Sequence, residues 1–153
     1  MAMTDNNLLP KRKFLPHSRP IWVSEKAIYF ITICAEQKGI NSFCKKEVSD
    51  ILIESVLYRE KIGQWFVYYF LLMPDHIHGL FSFNIEHKMK DVLFDWKRYV
   101  SVRTHIAWQR DFFDHRLRSK ESLSAKIEYI SMNPVRKGLV AKSEEWPYSW
   151  YFR

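Results

Sequence analysis

Apolar residues along this chain follow two different periods, and the switches between them predict its elements. Ile28-Tyr29-Phe30-Ile31-Thr32-Ile33-Cys34 is rich in β-branched and aromatic residues and predicts a strand, with Gly39 and Asn41 marking the turn behind it. From about Lys46 to Ile62 the period becomes helical, with Val48, Ile51, Leu52 and Val56 on one stripe and Gly63 as the stop. Trp65 through Met73 is apolar on both faces, as in a strand at the middle of a covered sheet. Pro74-Asp75 predicts a tight turn and His76 to Phe83 the returning strand of an antiparallel hairpin.

A long helix is expected over about Lys88 to Trp108, with Met89, Val92, Leu93, Trp96 and Val100 inward and Lys90, Lys97, Arg98 and Arg103 on the other face. Phe112 to Arg118 reads as a short fourth strand. Ser122 to Ser131 reads as a last helix with Leu123, Ile127 and Ile130 inward. Asn133 precedes Pro134, which pushes it out of the α region and should end or kink that helix. Gly138 suits an exit turn, and Trp146 to Phe152 is an aromatic tail. The order β-α-β-β-α-β-α predicts an α+β fold: a ferredoxin-like antiparallel sheet with an additional C-terminal helix. Such a fold decides no function by itself. Residues 1–25 read as a basic, largely extended arm, and residues 26–153 as one domain.

Composition narrows the field. At 153 residues, 47% hydrophobic and 27% charged, the chain is of ordinary globular make-up, and its eleven Phe, eight Tyr and six Trp can fill a large core. No apolar run is long enough to span a membrane, and Met1 to Asn7 lacks the basic-then-apolar layout of a secretory signal. Cys34 and Cys44 are too few for a disulfide scaffold, so a reducing cytosol is the expected compartment. Charge points further: 24 Lys and Arg against 17 Asp and Glu give +7. On a small domain that excess suggests a polyanion such as nucleic acid, although a merely basic surface would look the same.

Two constellations carry chemical content. His76-Ile77-His78 puts two imidazoles on one face of a strand, where both can approach one divalent cation; two strand-edge histidines bonded to backbone are the alternative. Tyr129 and Asn133 are four apart at the edge of a helix's packed face. A boundary Tyr can act as a nucleophile on phosphate and Asn can lend a carbonyl oxygen. The plainer reading is a packed amphipathic Tyr and a capping Asn.

Taken together these residues resemble a known family. Phe70-Leu71-Leu72-Met73-Pro74-Asp75-His76-Ile77-His78-Gly79-Leu80 looks like the HUH block of the one-tyrosine single-strand DNA transposases. The run Tyr129-Ile130-Ser131-Met132-Asn133-Pro134-Val135-Arg136-Lys137-Gly138-Leu139-Val140 looks like the tyrosine block of their REP-associated branch, the RAYTs. Trp108-Gln109-Arg110 through Arg118 and the tail Trp146-Pro147-Tyr148-Ser149 fall where that branch has its other matches. Asp75 stands where Asn is common, Gly79 where a larger apolar residue is usual, and the tail continues into Trp150.

The resemblance implies Tyr129 as nucleophile and His76, His78 and Asn133 as ligands of Mg²⁺ or Mn²⁺. It also implies single-stranded DNA hairpins of REP type as substrate, a 5′-phosphotyrosine intermediate, and a cytoplasmic, nucleoid-associated bacterial protein working as a monomer, with a dimer as the alternative. Basic residues expected to grip DNA are Lys11, Arg12 and Lys13 in the arm, Lys97, Arg98 and Arg103 on the helix, and Arg116, Arg118, Arg136 and Lys137 near the site. Two rival functions stay open: a non-catalytic nucleic-acid-binding regulator, and a metal nuclease that uses water and needs no Tyr129.

Overall fold

The β-branched and aromatic runs pair into one sheet whose faces are filled by different parts of the chain. The structure is a computed structural model that describes residues 13–15, 27–118 and 122–152. In chain order the elements are β1 (Lys13–Leu15), β2 (Tyr29–Cys34), α1 (Lys46–Lys61), β3 (Trp65–Leu72), β4 (His76–Phe83) and α2 (Met89–Thr104). They continue with β5 (Phe113–Arg116), α3 (Leu123–Ser131), the short α4 (Asn133–Arg136), a 3₁₀ turn (Ser143–Glu145) and β6 (Ser149–Phe152). The sheet order is β1-β6-β3-β4-β2-β5.

The α+β expectation holds, with a wider sheet than four strands. Strands β5, β2, β4 and β3 are neighbours in that order, each pair antiparallel. Beyond β3 the chain adds β6, formed by the aromatic tail, and then β1, which pairs with β6 in parallel. The sheet is therefore not wholly antiparallel. The tail is a structural strand: Trp146 donates its indole N–H to the Leu72 carbonyl at 2.8 Å, and the hydroxyls of Tyr69 and Ser149 meet at 2.8 Å. Lys13 lies in β1, so that part of the expected arm is a sheet edge; Lys11, Arg12 and most other arm residues fall outside the described residues.

Alternation along the strands sorts side chains to two sides. One side carries Ile31, Ile33, Phe70, Ile77 and Phe81 against Leu52 and Val56 of α1 and Leu93, Trp96 and Val100 of α2. Burying each such side chain stabilises the fold by about 1.5–3 kcal/mol. Gly79 belongs to this layer for a steric reason. A Cβ there would sit 2.2 Å from Cε2 of Phe81, whose ring is wedged against Trp65. The other side carries Leu71, Leu80, Tyr69 and Tyr151, covered by Ile130 of α3 and by Trp146. That cover reaches only part of the face. The face stays open at the Thr32–Cys34 end of β2 and the His76–His78 end of β4, which line a cavity, and there the chemistry-bearing residues stand.

Two helix ends differ from expectation. Helix α2 stops at Thr104 instead of about Trp108, because His105 takes the left-handed conformation (φ 63°) and its N–H closes on the Ser101 carbonyl. The freed chain then runs beside β2, where Trp108 bridges Ala35. Helix α3 starts on Ser122, which accepts from the Ala125 N–H, and ends at Ser131 before the proline; but Asn133, expected outside the α region, is instead the first residue of α4, with Pro134 in its first turn.

Candidate active site

Strand register assembles the site. Thr32 of β2 stands opposite His78 of β4, and Cys34 opposite His76. Directly opposed residues of an antiparallel pair share a face, so four polar side chains gather on the uncovered side of the sheet while Ile31, Ile33 and Ile77 anchor the other. The two imidazole rings are 4.8 Å apart, nearly perpendicular. With Thr32, Cys34, Lys38, Asp75 and Lys137 they line a cavity of about 310 Å³.

Hydrogen bonds orient both rings alike. The Asp75 carboxylate can only accept, so His76 Nδ1 carries the proton and donates to Asp75 Oδ1 at 2.7 Å. The other carboxylate oxygen accepts from the Gly39 N–H at 2.8 Å. Burial pushes the Asp75 carboxyl up, but the bonds from Gly39 and His76 outweigh it and hold it below the usual carboxylate range. His78 Nδ1 lies 3.0 Å from Thr32 Oγ1, and its ring packs 5.3 Å from that of Phe30. Burial, helped by His76 and Arg136, drives the His78 imidazole down to about 3, so it is neutral at any physiological pH. When each histidine holds its proton on Nδ1, the Nε2 lone pairs are left for a ligand, the arrangement in which an outer oxygen fixes a metal-binding imidazole.

Tyr129 and Asn133 sit on α3 and α4, and neither lines the histidine cavity. Tyr129 is 61% exposed. Its ring faces two cations, with Arg136 Cζ 4.5 Å and Lys126 Nζ 5.7 Å from the centroid. Lys126 also stands 5.0 Å from the ring of Phe30, which neighbours His78 and so bridges tyrosine and histidines. The side-chain carbonyl of Asn133 accepts from Arg136 Nη2 at 2.9 Å, and its amide donates to the Ile130 carbonyl. The donor chemistry of His76 and His78 fits a divalent ion. The oxygen that Asn133 would offer as a third ligand is taken by Arg136. Among the described residues no three His, Cys, Asp or Glu side chains cluster closely enough to hold a metal by themselves.

The expected basic grip divides. Arg136 and Lys137 are at the site. Arg98 and Arg103 are exposed on α2, which covers the opposite side of the sheet; there Arg98 meets Asp95 and Arg103 stacks on Tyr99. Lys97 is not a surface contact at all. It is 8% exposed, and its ammonium donates to the carbonyls of Gln109 and Arg110. Arg116 is exposed on β5, but its partner Tyr29 packs in the helix-side core, so it projects away from the histidines. Arg118 is exposed in the loop after β5. Thr32, Lys38 and Lys126 were not expected. Lys126 was findable three residues before Tyr129 on the same helix face. Thr32 was not, because its role depends on a register set by distant residues.

No protein-family model matches the chain. It is similar to the REP-associated tyrosine transposase of Escherichia coli (strain K12), 26% identical over 98 residues, which are 61% of this chain and 55% of that protein. A stretch of 57 residues, 37% of the chain, is 41% identical to a candidate REP-associated tyrosine transposase of Haemophilus influenzae and covers 32% of it. The chain thus spans about half the length of the first relative and a third of the second. Its fold matches a solved REP-associated tyrosine transposase bound to a REP hairpin, with a TM-score of 0.71 over 88% of this chain and 82% of that one, at 17% identity. It also matches a candidate transposase from Deinococcus radiodurans, with a TM-score of 0.52 over 76% and 95% of the two chains, again at 17% identity. Among the described residues no helix is long and apolar enough to cross a membrane.

Proposed function

From the chain's kinship with the REP-associated tyrosine transposases, we propose that it is a tyrosine-dependent single-strand DNA endonuclease and strand transferase acting on REP-type hairpins. The observation that carries this reading is the pair His76 and His78, whose Nδ1 atoms meet Asp75 and Thr32 and whose side chains line one cavity with Lys38 and Lys137. His76, His78 and, after release by Arg136, Asn133 would hold Mg²⁺ or Mn²⁺. Such an ion supplies polarisation of the scissile phosphate and neutralisation of its developing charge.

The chain's own groups do the rest. Lys38 and Lys137 flank the histidines, while Arg136 and Lys126 flank Tyr129, so a phosphodiester between the two sets meets positive charge from both sides. The Tyr129 hydroxyl oxygen attacks phosphorus, forming the O–P bond as the bond to the 3′ oxygen breaks. The phenolic proton leaves to solvent and the departing oxygen takes one up as a 3′-OH. Attack by another 3′-OH on the 5′-phosphotyrosine would reverse these bonds and rejoin strands. Exposure of Tyr129 suits a nucleophile that must reach a polymer.

The test is incubation of the protein with a synthetic repeat hairpin and Mg²⁺ or Mn²⁺, read on a denaturing gel and by mass spectrometry. Wild type should leave a covalent nucleotide adduct on Tyr129, and Tyr129→Phe should lose cleavage by about 10³-fold or more while still binding. Undiminished cleavage by the Phe variant without an adduct would identify a water-using nuclease. Binding without cleavage by wild type would identify a regulator.

A further inference from the structure

Resting on the reading just given, we propose a second subsite beside the histidines: a receptor for one unpaired nucleobase, stacked on Phe113 and read at its edge by Asp111. Phe113 is 74% exposed although it lies in a strand. Its register partner is Thr32, which is in turn the partner of His78. Phe113, Thr32 and His78 therefore form one row across the uncovered side of the sheet, and the phenyl ring stands about two strand spacings, roughly 10 Å, from His78.

A cavity of about 380 Å³ opens there, lined by Gln109, Arg110, Asp111 and Phe113 together with Thr32 and Cys34. Those last two residues also line the histidine cavity, so the two spaces share a wall. A strand whose phosphate lies at the histidines has its next nucleotide in reach of this pocket. The chemistry suits a nucleotide in parts. An open phenyl face stacks any base, the Arg110 guanidinium can meet a phosphate, and an exposed carboxylate accepts from the amino or ring N–H donors at a base edge. A phosphate alone would be repelled by Asp111, so the ligand is a base with its backbone toward Arg110.

The pocket wall is pre-built at some cost. Lys97 gives up solvent to donate to the carbonyls of Gln109 and Arg110, and Gln109 N–H donates to the Cys34 carbonyl at 2.9 Å. Trp108 ties the same segment to α2 through its indole N–H to the Lys97 carbonyl. A buried ammonium spent on two loop carbonyls holds that loop in one shape.

The experiment uses the full chain in a Tyr129→Phe background, so that binding is read without cleavage. The probes are a hairpin with a short unpaired flank carrying 2-aminopurine at successive positions, and the same hairpin trimmed of its flank. Phe113→Ala should weaken the flanked hairpin by about 5- to 150-fold and leave the trimmed one unchanged. It should also release the fluorescence quenching of 2-aminopurine at one flank position, and Phe113→Tyr should restore both. Asp111→Asn should alter preference among flank bases rather than lower all affinities alike. Equal affinity of Phe113→Ala and its parent for the flanked hairpin, or equal weakening of both probes, would overturn the subsite while leaving Tyr129-dependent cleavage as separate support for the enzyme. If the parent binds neither hairpin, both readings fall.

Discussion

At the scale of single residues, the two histidines do different jobs although they share a strand face. His76 is tied to a carboxylate, while His78 is held neutral by burial and a threonine hydroxyl. The second case has a measurable consequence. The folded-state value of His78 lies near 3, below the ordinary 6.5 that the unfolded chain keeps, so between those limits the unfolded state binds the extra proton. Its contribution to stability is complete above about pH 6.5 and drains away as pH falls toward 3. Denaturant titrations at pH 7 and 4.5 should show wild type losing more stability than His78→Gln, by up to about 1.4 kcal/mol per pH unit. Parallel losses in the two proteins would refute the burial account. Asp75 offers a related check. Asp75→Ala removes the acceptor that fixes His76, so nitrogen NMR should show His76 moving toward a mixture of its two tautomers.

Elements show where packing overrules pattern. Gly79→Ala should lower stability by about 1–3 kcal/mol by urea denaturation, because the added methyl collides with a Phe81 ring that Trp65 keeps from moving. Lys97→Met keeps the stem but abandons two carbonyls. It should cost about 1–3 kcal/mol and raise hydrogen exchange at residues 109–111, as followed by mass spectrometry. Helix α1, strands β3 and β4 and the break before Pro134 were legible in the sequence, because period, proline and glycine act within a few residues of themselves. The stop of α2 was not, since His105 rather than glycine takes the left-handed turn. Nor was the fate of the helix cations. Alternation of charge cannot tell Lys97, which turns under to bind a loop, from Arg98, which faces solvent. The histidine pair and the tyrosine were legible as motifs. Their supporting partners Thr32 and Lys126 required the register of β2 on β4 and the docking of α3 on Phe30.

Over the whole molecule, cations stand on both sides of the sheet. Lys38, Lys126, Arg136 and Lys137 border the uncovered side of the sheet, whereas Arg98 and Arg103 sit beyond the helices. Binding of single-stranded DNA should weaken with salt, with a log–log slope of roughly −0.7 per phosphate engaged. Lys137→Ala should flatten that slope by about 0.7, and Arg98→Ala should leave it unchanged, as measured by fluorescence anisotropy across a salt series. The reverse ranking would move the DNA to the helical side. The outermost pairing of the sheet carries a consequence of another kind. Lys13 and Trp150 are partners in the β1–β6 ladder although most of the chain separates them. Closing so large a loop costs entropy that only the finished sheet can repay, whereas the β3–β4 hairpin closes through a few residues. Assembly should therefore begin at the hairpin that carries the histidines and end when β1 docks on β6, making β1 the last strand to form and the first to let go.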